Sequence, residues 1–211
     1  MRSLARLLAG LALVRVLVAP AHALAPEPPL NMAATGTVEV VFSPWNDGEA
    51  ALLNAIEEAR EQILVQAYLF TSKPLARALI AAHRRGVRVE VMLDAESNRA
   101  ASASVIPDLL AAGVPVLVET RHNIAHNKVM LFDPASPSAA VATGSYNYTR
   151  SARVSNAENL LILRGNPALA GAYLGNWRRH KAEAQSLNAV DDLPGRRRKD
   201  DGREPDRAVA D

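Results

Sequence analysis

Between His126 and Asn147 the chain reads HNKVMLFDPASPSAAVATGSYN, which puts a histidine, a lysine, an aspartate and a Gly-Ser-Tyr-Asn turn into one strand-loop-strand stretch. His126 and Lys128 stand two residues apart, so on an extended strand both side chains leave the same face and can meet one anionic group. The apolar run VMLF that follows reads as a buried strand, which would hold the pair at its rim on a rigid element. An imidazole beside an ammonium suits phosphate chemistry. The cation neutralises oxygens that would repel a nucleophile, and histidine attacks or relays a proton near neutral pH. With five histidines, four lysines and ten aspartates in 211 residues, His-x-Lys followed by Asp at this spacing arises in about one in two hundred chains of this composition. Arginine is abundant at twenty, so a lysine beside a histidine is not the by-product of a lysine-rich surface.

HNKVMLFD, followed by GSYN and then by NAEN at 156–159, closely resembles the HKD motif of the phospholipase D superfamily, and within it the short, single-motif bacterial endonucleases of the Nuc type. The resemblance extends upstream through VEVVFSPWNDGEAALLNAIEEAREQILVQAYLFTSKPLARALIAAHRRGVRVEVMLD and covers Thr37 to Leu163. Ten residues, Pro134 to Thr143, separate the aspartate from the Gly-Ser turn, where the family usually has about six, and this reads as a longer hairpin loop.

The resemblance implies phosphodiester hydrolysis by two motif histidines that face each other. This chain holds one copy of the motif, so the resemblance implies a twofold homodimer in which His126 meets its own symmetry mate. His126 of one protomer would attack phosphorus to give a covalent phosphohistidine, and its mate would protonate the leaving oxygen and then activate water. Lys128, Ser145 and Asn147 would bind the nonbridging oxygens, although ordinary turn duties for Ser145 and Asn147 fit the same residues. Glu158 is the candidate to accept a hydrogen bond from the imidazole nitrogen not used in attack. Asp133 lies seven residues from His126, about 23 Å along an extended strand, and is assigned a structural role, pairing with a cation or capping the hairpin. His122 either lines the cleft or is merely exposed, and His83 and His180 are read as surface residues of helices. With no cysteine and no His and carboxylate set at ligand spacing, neither a metal nor a cofactor is expected.

Three functions fit this chemistry. The leading one is an exported, metal-independent endonuclease acting on DNA or RNA, with Arg121, Arg150 and Arg153 as a basic rim and Tyr146 and Tyr148 either stacking on bases or packed. The second is a lipid phosphodiesterase of the phospholipase D or cardiolipin hydrolase type, which needs an apolar entry surface that only Trp45 and Phe70 suggest. A catalytically silent phosphate- or nucleic-acid-binding module that uses the same pocket is disfavoured because every matching motif residue is present.

The elements that must position these residues alternate along the chain. Strands are expected at 38–42, 63–70, 87–93, 114–118, 128–133, 139–143 and 159–163, and helices at 49–61, 74–85, 103–112 and 167–184. Asp47 or Asn46 would cap the first helix, and Gly86 and Gly113 would stop the second and third. The expected fold is one α/β domain, a phospholipase D-like sandwich whose mixed sheet is flanked by helices, parallel early and antiparallel at the hairpin. It spans residues 37–187, after a linker at 26–36 and before a disordered charged tail at 188–211.

Residues 1–25 carry Arg2 and Arg6, an apolar stretch and small-residue cleavage sites, and read as a secretory signal peptide, with an arginine-bearing transit peptide as the alternative because of Arg15. The expected destination is the periplasm or the exterior. The uninterrupted apolar run falls far short of the roughly 20 residues of a spanning helix, so no stable membrane insertion is expected. Without this segment 21 basic residues face 22 acidic ones. Nucleic-acid binding therefore has to rest on a local basic surface rather than on bulk charge.

Overall fold

The computed structural model describes residues 28–101 and 104–193, and those from Met32 onward belong to one compact unit. The signal peptide expected at 1–25 and the tail from 194 lie outside the described residues. Eight strands, β1 (Thr37–Ser43), β2 (Gln62–Ala67), β3 (Arg88–Asp94), β4 (Val116–Glu119), β5 (Lys128–Phe132), β6 (Ala140–Gly144), β7 (Glu158–Arg164) and β8 (Gln185–Leu187), form one sheet in the order β1-β7-β6-β5-β2-β3-β4-β8. The β2–β3 and β3–β4 pairs are parallel and the remaining pairs antiparallel.

Helices α1 (Gly48–Glu58), α2 (Lys73–Arg84), α4 (Ile106–Ala111) and α5 (Arg150–Val154) contribute to the larger apolar core on one face, while α6 (Pro167–Glu183) covers the other. Strands β2 and β5 are buried almost throughout because both faces are covered there, which is why they read as continuous apolar runs. On the α6 side the cover stops short of the sheet edge. Val38, Val40 and Phe42, alternate residues of β1, are therefore half-exposed while Val41 is buried on the opposite face.

Local chemistry sets the boundaries. Asp47, Ser72, Thr149 and Asn166 each accept an amide hydrogen at the start of α1, α2, α5 and α6, and Gly86 ends α2 at φ 92°. Three elements fall outside the expectation. Helix α3 (Ala95–Ala100) starts at the Asp94 cap, α5 follows the Thr149 cap, and β8 pairs with β4 at the sheet edge. A 3₁₀ turn at Val190–Asp192 occupies the start of the stretch read as disordered. The expected long hairpin loop is also shorter than it looked: Ala140–Thr143 belong to β6, with Val129 opposite Thr143, so only residues 133–139 turn the chain.

Asp133 neither pairs with a cation nor caps its own hairpin. It adopts a left-handed φ of 46° at the end of β5, and its carboxylate accepts the backbone N–H groups of Arg60, Glu61 and Gln62 at 2.8, 2.7 and 2.8 Å. One side chain thereby satisfies the turn between α1 and β2 and locks the hairpin to it. Asp133→Ala is expected to lower the unfolding free energy by about 2 kcal/mol, from three lost hydrogen bonds, two of whose donors water can reach, and an unfavourable φ. Asp133→Asn, which tolerates that φ and keeps an acceptor, should cost less. Urea denaturation checks both, and equal losses would show that the hydrogen bonds are not what matters.

Candidate active site

The C-terminal ends of β2, β3 and β6 and the N-terminal ends of β5 and β7 meet at one edge of the sheet, because β5 runs antiparallel to β2 and β6. Lys128 opens β5 opposite Ala67, and one residue beyond, the Tyr68 amide donates to the Asn127 carbonyl at 2.8 Å. The Lys128 side chain is only 6% exposed. Its ammonium donates to the His126 carbonyl at 2.7 Å and sits 4.9 Å from the centre of the Tyr68 ring. The His126 ring packs on the same tyrosine, with centroids 4.4 Å apart, yet is itself exposed and makes no hydrogen bond among the described residues. Tyr68 thus serves as a common platform for the imidazole and the ammonium. It escaped the sequence reading because it lies sixty residues upstream, at the end of a strand like any other aromatic.

Burial holds the Lys128 ammonium below the ordinary lysine pKa, and the negative charge of Glu158 offsets part of that effect. Glu158 opens β7 and is engaged by Ser145, whose hydroxyl donates to one carboxylate oxygen at 2.5 Å, and by Asn156, whose amide donates to the other at 2.9 Å. The expected hydrogen bond from His126 to Glu158 is not made among the described residues; the carboxylate accepts from Ser145 and Asn156 instead. The Ser145 hydroxyl also accepts the Asn159 amide at 3.0 Å, so its proton is spent on Glu158 rather than offered to a substrate. Gly144 is required here by space: a Cβ at that position would lie 2.3 Å from the Asn159 carbonyl oxygen.

Asn147 follows in the turn. Its side-chain oxygen is buried without a partner among the described residues, the one such atom in the motif. The adjoining Tyr146 and Tyr148 are fully buried and belong to the core, so neither is a stacking platform for bases. The Tyr148 carbonyl accepts the amides of Thr71 and Ser72, both at 2.9 Å, which stitches the turn to the loop after β2.

The expected arginine rim is reduced to one residue. Arg153 is paired with Asp47 and Glu49, both at 3.1 Å, and Arg121 with Glu183 at 3.8 Å. Arg150 alone of the three is exposed and forms no ion pair among the described residues. Phe70 is fully buried and adds nothing to an apolar entrance, whereas Trp45 is 83% exposed. A further positioning residue emerges in Asp94. It is buried, caps α3 through the Ser97 amide, and accepts the Ala125 amide at 2.9 Å, which fixes the backbone one residue before His126.

The expectation of no clustered histidine and carboxylate set is also corrected. Glu119, His122 and His180 place ligand atoms within 4.8 Å of one another. Sequence spacing conceals this because the three residues come from β4, a loop and α6. Correspondingly, His180 is half-buried against Glu119 rather than free on the helix surface.

Residues 52–176 match the family described as cardiolipin synthase, PLD-like domain. A phospholipase D of Rickettsia prowazekii is 36% identical over 151 residues, covering 72% of this chain and 71% of that one. The mitochondrial cardiolipin hydrolase of Xenopus laevis is 36% identical over 136 residues, or 59% and 62% of the two chains. Among solved structures, the phospholipase D family member Nuc from Salmonella typhimurium superposes with a TM-score of 0.68 at 30% identity, over 74% of this chain and all of Nuc. NucT from Helicobacter pylori superposes at 0.65 and 22% identity, over 72% of this chain and all of NucT, a likeness of fold.

The buried ammonium has a measurable consequence. Between its folded and unfolded pKa values Lys128 binds fewer protons in the folded chain, so its charge costs stability at neutral pH, and the cost is relieved as pH rises through the folded value. In Lys128→Met that titration is gone. The wild type should therefore gain on the variant in unfolding free energy as pH rises towards the ordinary lysine value of about 10.4. Denaturation of both proteins across that range tests this, and a constant or widening deficit of the wild type would contradict it.

Proposed function

This chain belongs to the phospholipase D-like family of phosphodiesterases, and we propose that within it the protein is an exported, non-specific endonuclease working as a homodimer without a catalytic metal. The observation that carries the reading is the His126 imidazole, exposed and unengaged on Tyr68 directly beside a buried ammonium. A nucleophile needs a free lone pair, and a phosphodiester needs a cation within reach of its oxygens.

His126 attacks phosphorus, the P–N bond forms, and the bond to the leaving oxygen breaks as the partner's His126 delivers its proton. Water, deprotonated by that same second histidine, then displaces the first and restores both. Lys128 neutralises the nonbridging oxygens and Asn147 donates its amide hydrogens to them. Ser145 acts at one remove, holding the Glu158 carboxylate whose charge Lys128 feels. The single motif copy supports the dimer, as does the half-exposed stripe of Val38, Val40 and Phe42, which runs along β1 to Ser43 opposite Glu158. Export rests on residues 1–25, and among the described residues no helix is long and apolar enough to cross a membrane.

Nucleic acid as substrate is supported by the similarity to Nuc along all of that chain's length and by the exposed Arg150 next to the Asn147 turn. A lipid substrate is the second reading. The relatives called phospholipase D and cardiolipin hydrolase support it, as do three exposed apolar side chains, Trp45, Ile124 and Val154, the second of them two residues from His126.

In excess EDTA the purified protein should cleave single- or double-stranded DNA, and His126→Ala should reduce the rate on the order of a thousand-fold. Cleaved phospholipid vesicles beside intact DNA would replace the nuclease with the lipid reading. Refolding equal amounts of wild type and His126→Ala together should leave about a quarter of the wild-type activity, since only dimers with two intact histidines work. Retention of half would mean that each protomer acts alone.

A further inference from the structure

Glu119 is a buried carboxylate at the end of β4 whose partners are unusual for a purely structural acid. One oxygen accepts the side-chain amide of the equally buried Gln66 at 3.1 Å, and the other meets Nδ1 of His180 on α6 in a short contact. His122 completes a convergent set. Its ring lies 5.2 Å from that of His180, tilted by 47°, and it makes no hydrogen bond among the described residues. Nothing in a simple His180–Glu119 ion pair calls for a second imidazole there, whereas two imidazoles and a carboxylate are a recurrent donor set for a divalent transition metal.

We propose that Glu119, His122 and His180 form a divalent-cation site, suited in chemistry to Zn²⁺, that clamps the loop leading to His126 onto the sheet and α6. The three ligand atoms lie within 4.8 Å of one another. Around tetrahedral zinc with bonds of about 2.1 Å, ligand atoms sit about 3.4 Å apart. Closing the set therefore asks for a shift of His122, which is exposed on a loop, and for the short His180–Glu119 contact to open to the ligand spacing. The cation would take the place now held by the hydrogen between His180 and Glu119. Gln66 would orient the ligating carboxylate from behind, as hydrogen-bonded neighbours of metal ligands do. A concavity lined by His122, Asn176, Arg179, His180 and Glu183 adjoins the set and would leave a further coordination position to water.

The clamp would act on the candidate active site at one remove. His122 precedes His126 by four residues, and the intervening Ala125 is already tied to Asp94. With His122 held as well, the loop would be fixed at two points ahead of the nucleophile. The cation would lie outside the histidine chemistry, so hydrolysis itself proceeds in chelator and loss of the clamp alters only how firmly the loop holds His126.

The full chain, stripped with EDTA and dialysed, is titrated with ZnCl₂ against a chromophoric chelator, and with Co²⁺ for its visible absorption. One equivalent should bind, with the spectrum of a four-coordinate nitrogen and oxygen site. His122→Ala, at an exposed position, and His180→Gln should each weaken binding at least ~10-fold, with circular dichroism establishing that they are folded. His126→Ala should bind as the wild type does. Absence of stoichiometric binding by the wild type, or binding that survives His122→Ala unchanged, would overturn the proposal.

Discussion

A positive charge kept almost dry is the constraint around which this structure is arranged. An ammonium taken out of water is unfavourable unless other groups replace the lost solvent. For Lys128 the replacements are the His126 carbonyl, the face of Tyr68 and the charge of Glu158. These come from the loop before β5, the end of β2 and the start of β7, so the site exists only when those strand ends are aligned. The reward is electrostatic: a cation in a poorly solvated place interacts more strongly with an incoming anion than one in water.

The topology supplies that alignment. Inserting β5 between β2 and β6, antiparallel to both, brings the start of the motif strand to the edge where the parallel strands end. Register then matters, because a slip of one residue would turn Lys128 to the opposite face. At the far end of β5, Asp133 accepts three consecutive amides from the turn before β2. The aspartate of the motif thus serves the histidine and lysine from a distance by fixing the strand that carries them.

Polar groups near the site fall into two layers. His126 and Arg150 are exposed, while Ser145, Asp94 and Asn98 hold backbone and carboxylate in place from within. Asn98, fully buried, bonds the Phe70 amide and the carbonyls of Tyr68 and Asp94, so the loop that presents Tyr68 is braced against α3. Two of the motif's polar residues therefore engage each other. Ser145 spends its proton on Glu158, and Glu158 acts through its charge.

The sequence by itself determined the element order of the larger strands and helices, the mixed sheet and the residues of the motif, since apolar periodicity, caps and the spacing of His126, Lys128, Gly144 and Ser145 are local properties of the chain. Short elements such as α3, α5 and β8 escaped it because their stability comes from caps and neighbours rather than from periodicity. Tertiary structure alone decided who touches whom: Tyr68 under His126, Ser145 rather than His126 on Glu158, Arg153 drawn into a pair with Asp47 and Glu49, the two motif tyrosines packed into the core, and Glu119 beside His122 and His180. Each of these depends on strand order and register over separations of tens of residues. A side chain's partner is set by that geometry and by competition for desolvated positions, and neither is written in the spacing of the residues along the chain.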